Sequence, residues 1–251
     1  MIDIHAHYDD PAFDSDREEL ISSLFENHGI NAIINAGCDI QTSLNSIALA
    51  EKFDNVYATV GFHPHEADLF TIESFDKMKA LLVHPKVVAI GEIGLDYHYE
   101  NIDKEAQKRV FRAQMELAKE IGKPVVIHDR DSIADCLDIV LDYDVQGVFH
   151  AFSGSTETAK ILLKRGWYIS FPGTVTFKNA RHSVENAAFV PEDRILTETD
   201  SPYLTAHPFR GKRNDSSFMR LTLKKIAEIR GTTFEHIEQI TENNAKRLFG
   251  I

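Results

Sequence analysis

Short apolar runs of four to six residues alternate with amphipathic segments along nearly the whole chain. The runs predict strands near residues 2–5, 32–35, 56–60, 87–91, 125–128, 147–150, 168–170 and 194–197. Most are uninterrupted, the pattern of strands covered by helices on both faces. Between them, helices are expected over residues 16–27, 41–52, 71–82, 104–121, 133–142, 157–164 and 179–188. In the longest, Phe111, Met115 and Ala118 share one stripe, with Val110, Leu117 and Ile121 alongside and charged residues opposite. Three helical stretches close the chain, at 218–229, 233–239 and 241–249. Thr232 or Thr233 and Thr241 are candidate N-caps, and Gly231 and Gly250 suit chain stops.

Eight strands with intervening helices fit a (β/α)8 TIM barrel, an α/β fold, formed by residues 1–251 as one domain. An open doubly wound sheet is the competing architecture. It lacks support from a phosphate loop, because no GxGxxG is present and Gly211-Lys212 has neither the upstream Gly nor the Ser/Thr of a P-loop.

Composition narrows the picture in three ways. With 251 residues, 43% hydrophobic and 26% charged, the chain can bury a sizeable core. No run reaches the ~20 apolar residues of a membrane span. The first strand begins at Ile2, leaving no room for a signal peptide, so a cytoplasmic protein is expected, with no membrane partner and no obligate protein partner. Cys38 and Cys136 belong to no CxxC and are expected to be two buried free thiols. The net charge of −12 argues against tracking long duplex on a basic face. A nucleic acid would be gripped at an end, over few nucleotides, with metal ions supplying positive charge.

The candidate chemistry lies where the strands stop. His5 and His7, at i and i+2, share one side of an extended chain and can grip one cation. Glu92 follows the fourth strand, His128 the fifth, His150 the sixth and Asp200 the eighth, and in a barrel these ends form the active site. With only 12 His in the chain, three strands ending in His is an improbable accident. Four imidazoles and two carboxylates exceed the needs of one ion. With a shared Glu they suit two, about 3.5–4 Å apart, which generate a bridging hydroxide. The competing readings are a core histidine for His150, a turn cap for Glu92 and an Asx turn for Asp200.

These residues carry a resemblance. His5-Ala6-His7, Gly61-Phe62-His63-Pro64-His65, Gly91-Glu92-Ile93-Gly94-Leu95-Asp96, Lys123-Pro124 with His128 and Arg130, His150 with Phe152-Ser153-Gly154, Glu198-Thr199-Asp200-Ser201-Pro202 and Arg210-Gly211-Lys212-Arg213-Asn214 resemble, in order, the motifs of the TatD family of metal-dependent deoxyribonucleases, within the amidohydrolase superfamily. The similarity runs essentially the whole chain. It implies one metal on His5, His7, Glu92 and Asp200, and a second on Glu92, His128 and His150, with Glu92 as the bridge. Asp200 would double as general base, His63 would contact phosphate, and Arg130 and residues 210–213, Arg210 foremost, would meet phosphates near the mouth. A turn residue before Pro64 is the alternative for His63, and a solvated loop for Lys212 and Arg213. Ser132, Ala134 and Asn214-Asp215-Ser216 depart from the family's usual residues and touch no expected ligand.

The resemblance implies a 3′-to-5′ exonuclease acting on DNA ends or short single strands. It implies magnesium, whereas imidazole-rich ligands favour zinc, manganese or nickel. Two divalent ions are expected, Mg2+ or Mn2+ for activity and Zn2+ or Ni2+ in the purified protein. The alternatives are an esterase or amidase, aminoacyl-tRNA esters included, and a non-catalytic metal-binding barrel.

Overall fold

The computed structural model describes all 251 residues. Its strands are β1 (Ile2–Ala6), β2 (Ala32–Asn35), β3 (Val56–Val60), β4 (Val87–Asp96), β5 (Val125–Arg130), β6 (Gly147–Phe149), β7 (Tyr168–Phe171) and β8 (Ile195–Thr197). Its helices are α1 (Arg17–Asn27), α2 (Ile40–Lys52), α3 (Ile72–Leu81), α4 (Lys104–Ile121), α5 (Ile133–Val140), α6 (Thr156–Lys164), α7 (Arg181–Phe189), α8 (Met219–Arg230) and α9 (Phe234–Phe249). In sheet order the strands run β1 to β8, as in the chain, which is the expected (β/α)8 class. No helix is long and apolar enough to cross a membrane. The chain divides into two compact units, Met1–Asn35 with His150–Ile251, and Ala36–Phe149.

In the first unit β1 pairs parallel with β2, Ile2 opposite Ala32, and β7 pairs parallel with β8, Ile169 opposite Ile195. A parallel bridge joins Ala6 to Ser201. Ile2, Ile4 and Ala6 are buried on one side of β1, and Asp3 and His5 are buried on the other. The two expected C-terminal helices are one. Thr241, a candidate cap, lies inside α9, where its hydroxyl donates to the Ile237 carbonyl at 2.9 Å. Thr233 caps α9 instead, and Gly250 ends it in the left-handed conformation.

In the second unit β3 to β6 pair parallel in chain order. β4 runs to Asp96, past the Gly91 at which the apolar run stops. A side chain at Gly91 would meet Val126, and one at Gly94 would strike the His128 carbonyl. Gly94 also has φ +146°, open to glycine alone. The two glycines therefore let β4 and β5 close on each other around Glu92.

Helix α4 contributes more than its apolar stripe. Gln107 and Gln114 are buried among those residues, each gripping a strand-end backbone from both sides. Gln114 accepts from the Phe62 amide at 2.7 Å and donates to its carbonyl at 3.0 Å. Gln107 does the same for Asp96, at 2.9 and 3.1 Å. Burying an amide is tolerable only when its groups are paired. Here the pairing fixes the residue before His63 and the end of β4.

Candidate metal centre

The first unit gathers four of the expected residues. His5 Nε2 lies 3.2 Å from His7 Nε2, and the Asp200 Oδ1 atom is 3.7 Å from the first and 3.4 Å from the second. The His150 ring stacks on His5, centroids 4.1 Å apart and planes 18° from parallel. Metal bonds of about 2.1 Å at tetrahedral angles separate ligand atoms by about 3.4 Å. His5, His7 and Asp200 thus have both the donor chemistry and the spacing to hold a divalent cation.

Asp200 is aimed by its backbone. Its φ of +56° is left-handed, and its amide donates to the His5 carbonyl at 2.9 Å, while the His7 amide donates to Ser201 at 2.7 Å. The carboxylate faces the imidazoles, so the Asx-turn reading is set aside. Burial works to raise the Asp200 carboxyl. A hydrogen bond from His7 and the charges of His5, His7 and His150 overcome it and hold the group below its ordinary value. Asp200 is therefore ionised and able both to bind a cation and to accept a proton.

Underneath lies a network that the motifs do not announce. Asp3, fully buried, accepts from the Ser216 and Thr199 hydroxyls, both at 2.6 Å, and from the Thr199 amide at 2.9 Å. Burial pushes the Asp3 carboxyl up to about 7, against the pull of these donors. The Ser201 hydroxyl donates to Thr199 at 2.7 Å and Tyr8 lies 2.7 Å from Ser216. The network ties β1 to the turn that carries Asp200. Glu198, equally buried, accepts from the Ala151 amide at 2.5 Å, with His150 Nδ1 3.5 Å from the same oxygen.

The second unit brings together Glu92, His128 and His63. Glu92 Oε1 is 2.7 Å from His128 Nδ1 and 3.8 Å from His63 Nε2. Cys38 Sγ is 4.0 Å from the other oxygen. Cys38 is half-buried rather than buried as expected, while Cys136 is buried. The Glu92 side chain is turned toward His128. His63 has the geometry of its turn reading, Nδ1 accepting from the His65 amide at 3.2 Å at the start of a 3-10 turn, and its Nε2 faces Glu92 at 3.8 Å.

Asp96 is a site residue that went unassigned. Its Oδ2 lies 3.2 Å from His128 Nε2 and 3.0 Å from His65 Nε2. Burial works to raise its carboxyl, and hydrogen bonds from His128 and the His98 amide with the charges of His128 and His65 drive it far below the ordinary range. Of the expected phosphate contacts, Arg130 ends β5 with its guanidinium 5.7 Å from the Tyr99 ring centre. Arg210 lies over Phe177 at 4.7 Å.

Glu198 supplies a test of ligand positioning. A carboxylate behind a metal-binding imidazole fixes its orientation and raises its basicity. Glu198→Gln keeps the shape and the acceptor for Ala151, and is expected to weaken cation affinity by about 10- to 100-fold. Calorimetric titration with Mn2+ reads this directly, and an affinity equal to wild type would remove the role.

The whole chain is similar to known proteins. The family model for TatD-related DNases matches residues 2–250. An uncharacterized metal-dependent hydrolase of Bacillus subtilis, YabD, is 43% identical over 100% of this chain and 99% of its own length. A Cronobacter sakazakii protein named 3′-5′ ssDNA/RNA exonuclease TatD is 33% identical, over 99% and 97%. The crystal structure of the Escherichia coli TatD homologue YjjV superposes with a TM-score of 0.94 at 29% identity, covering 100% of this chain and 98% of that one. The (β/α)8 fold and a His, Glu and Asp set able to hold metal are what a metal-dependent hydrolase of this kind requires, and the chain belongs to the TatD family.

Proposed function

We propose that this chain hydrolyses phosphodiester bonds at the 3′ end of single-stranded nucleic acid, using two divalent cations. The observation that carries the reading is the Asp200 carboxylate after β8, its Oδ1 3.7 and 3.4 Å from the His5 and His7 imidazole nitrogens. The family is that of TatD-related DNases, and one relative is named as a 3′-5′ exonuclease on single-stranded DNA and RNA. In a barrel of parallel strands the functional groups share the C-terminal rim. On that footing residues 1–251 act as one hydrolase domain, in which His5, His7, Glu92 and Asp200 hold one cation and Glu92, His128 and His150 the other.

Divalent cations, when bound, supply Lewis acidity toward water and phosphoryl oxygen. The side chains divide the remaining work. Asp200 accepts the proton of the attacking water, and its ionised state provides the vacancy for it. His63 donates a hydrogen bond to a non-bridging phosphate oxygen as charge grows there. Arg130 draws the backbone toward the site as a fixed cation.

The test is a digestion series on a 5′-labelled single strand and its duplex with Mg2+, Mn2+, Zn2+ and Ni2+, and with EDTA as control. Stepwise shortening from the 3′ end, abolished by EDTA, is expected. Internal cutting, or shortening that persists in EDTA, overturns the proposal. The net charge of −12 favours a second reading, a small ester or amide substrate. A parallel ester panel separates the two.

A further inference from the structure

We propose that Asp96 is a positioning residue of the second cation site, holding the His128 ring so that its Nδ1 stays turned to Glu92. The proposal rests on the reading of Glu92 and His128 as ligands and gives a task to a carboxylate which that reading leaves unused. It is independent of the bond that is cleaved.

The arrangement starts in the sequence of β4, where Glu92, Gly94 and Asp96 occupy every second position. Alternation along a strand turns such residues to one face. On β5, His128 is the register partner of Gly94, the middle one of the three. Gly94 has no side chain to obstruct it, and a Cβ there would strike the His128 carbonyl. The imidazole stands between the two carboxylates on either side of that gap. Its Nδ1 is 2.7 Å from Glu92 Oε1, and its Nε2 is 3.2 Å from Asp96 Oδ2.

The two nitrogens then have different work. A neutral imidazole carries one N–H and one lone pair, and a cation takes the lone pair. Glu92 marks the cation's side of the ring, so Nδ1 supplies the lone pair and Nε2 keeps the proton. A buried N–H must find an acceptor. Asp96, 1% exposed, is that acceptor. A carboxylate behind a metal-binding imidazole fixes the ring's orientation and makes the opposite nitrogen more basic.

A group that positions another must itself be held. Gln107 accepts from the Asp96 amide at 2.9 Å and donates to its carbonyl at 3.1 Å. Oδ1 accepts from the His98 amide at 2.9 Å, and Oδ2 lies 3.0 Å from His65 Nε2 in addition to facing His128. Both oxygens are in use, which decides the choice of variant. Asparagine has one oxygen and cannot serve the His98 amide and the imidazoles together.

The experiment titrates metal-free protein with Mn2+ by calorimetry, comparing wild type, Asp96→Asn and Asp131→Asn. Asp131 is exposed, pairs with His98 at 2.9 Å and has a left-handed φ of +57° that asparagine tolerates. Its substitution removes one charge from the same unit without touching His128. Asp96→Asn is expected to weaken the affinity by about 10- to 100-fold, and Asp131→Asn to bind as wild type. A second measurement needs no variant. In Zn2+-loaded wild-type protein with 15N-labelled histidine, NMR is expected to show one metal-bound ring with zinc on Nδ1 and a slowly exchanging proton on Nε2. His5 and His7 meet Asp200 through Nε2, so this pattern singles out His128. Wild-type affinity in Asp96→Asn, equal losses in the two variants, or a spectrum with no such ring overturns the proposal. Wild-type protein that takes up no Mn2+ at all would remove the metal reading, and the proposal with it.

Discussion

Asp200→Asn is expected to cut turnover by on the order of 10³-fold while metal stays bound. The substitution is unusually clean at this position. Asp200 sits at φ +56°, a conformation that asparagine tolerates better than any other residue that could replace it without losing the side chain's shape. The backbone ties of residues 200 and 201 to His5 and His7 involve no side chain, so the turn is retained. His5 and His7 keep their nitrogens, and an amide oxygen remains where Oδ1 was. What disappears is the negative charge, and with it the capacity to take a proton from water. Asp200→Ala would be a poorer test, because alanine pays for the left-handed backbone and leaves a void. Single-turnover rates on a 3′-labelled strand, read beside metal content of the same preparation, check the prediction. A rate within tenfold of wild type would remove Asp200 as the base. Equal loss of rate and of metal would reassign it as a ligand alone.

How much of this site the sequence announces depends on the distance over which each signal acts. The strands are legible because an uninterrupted apolar run has one natural home, a sheet covered on both faces. His5 and His7 are legible because i, i+2 spacing puts both on one side of a strand. Boundaries fail where a tertiary contact overrides local chemistry. Gly91 and Gly94 look like a stop, yet β4 continues through them, since close approach to Val126 and the His128 backbone is what those glycines permit. Thr241 looks like a cap but turns its hydroxyl back into α9. The supporting residues stayed hidden for a third reason. Asp3, Gln107 and Gln114 are polar groups whose partners lie elsewhere in the sequence, and only folding shows that their burial is satisfied. A charged residue inside an apolar strand, as at Asp3, is the one such signal that could have been read in advance.

The second large effect concerns Glu92, and it has opposite signs for activity and for the stability of the metal-free protein. Glu92 is 3% exposed, with its Oε1 2.7 Å from His128 and 3.8 Å from His63. Desolvating a carboxylate at such a place costs several kcal/mol by itself. Glu92→Gln removes that cost while preserving size, so the chelated variant is expected to melt at or above the temperature of chelated wild type. The loaded proteins should rank the other way. A ligand that binds only the folded state stabilises it by about 4.1 kcal/mol at a thousand times its dissociation constant. For a chain of this length each kcal/mol is worth about 2–4 °C. Wild type is therefore expected to gain roughly 8–16 °C on saturation with a cation of that affinity. Glu92→Gln should gain less than half as much, hold about one ion per chain instead of two, and lose activity by at least about 10³-fold. Melting curves with and without EDTA, paired with metal content, make the comparison in one preparation. Equal metal-induced gains in the two proteins would mean that Glu92 bridges nothing, and its short contact with His128 would then be an ordinary buried ion pair.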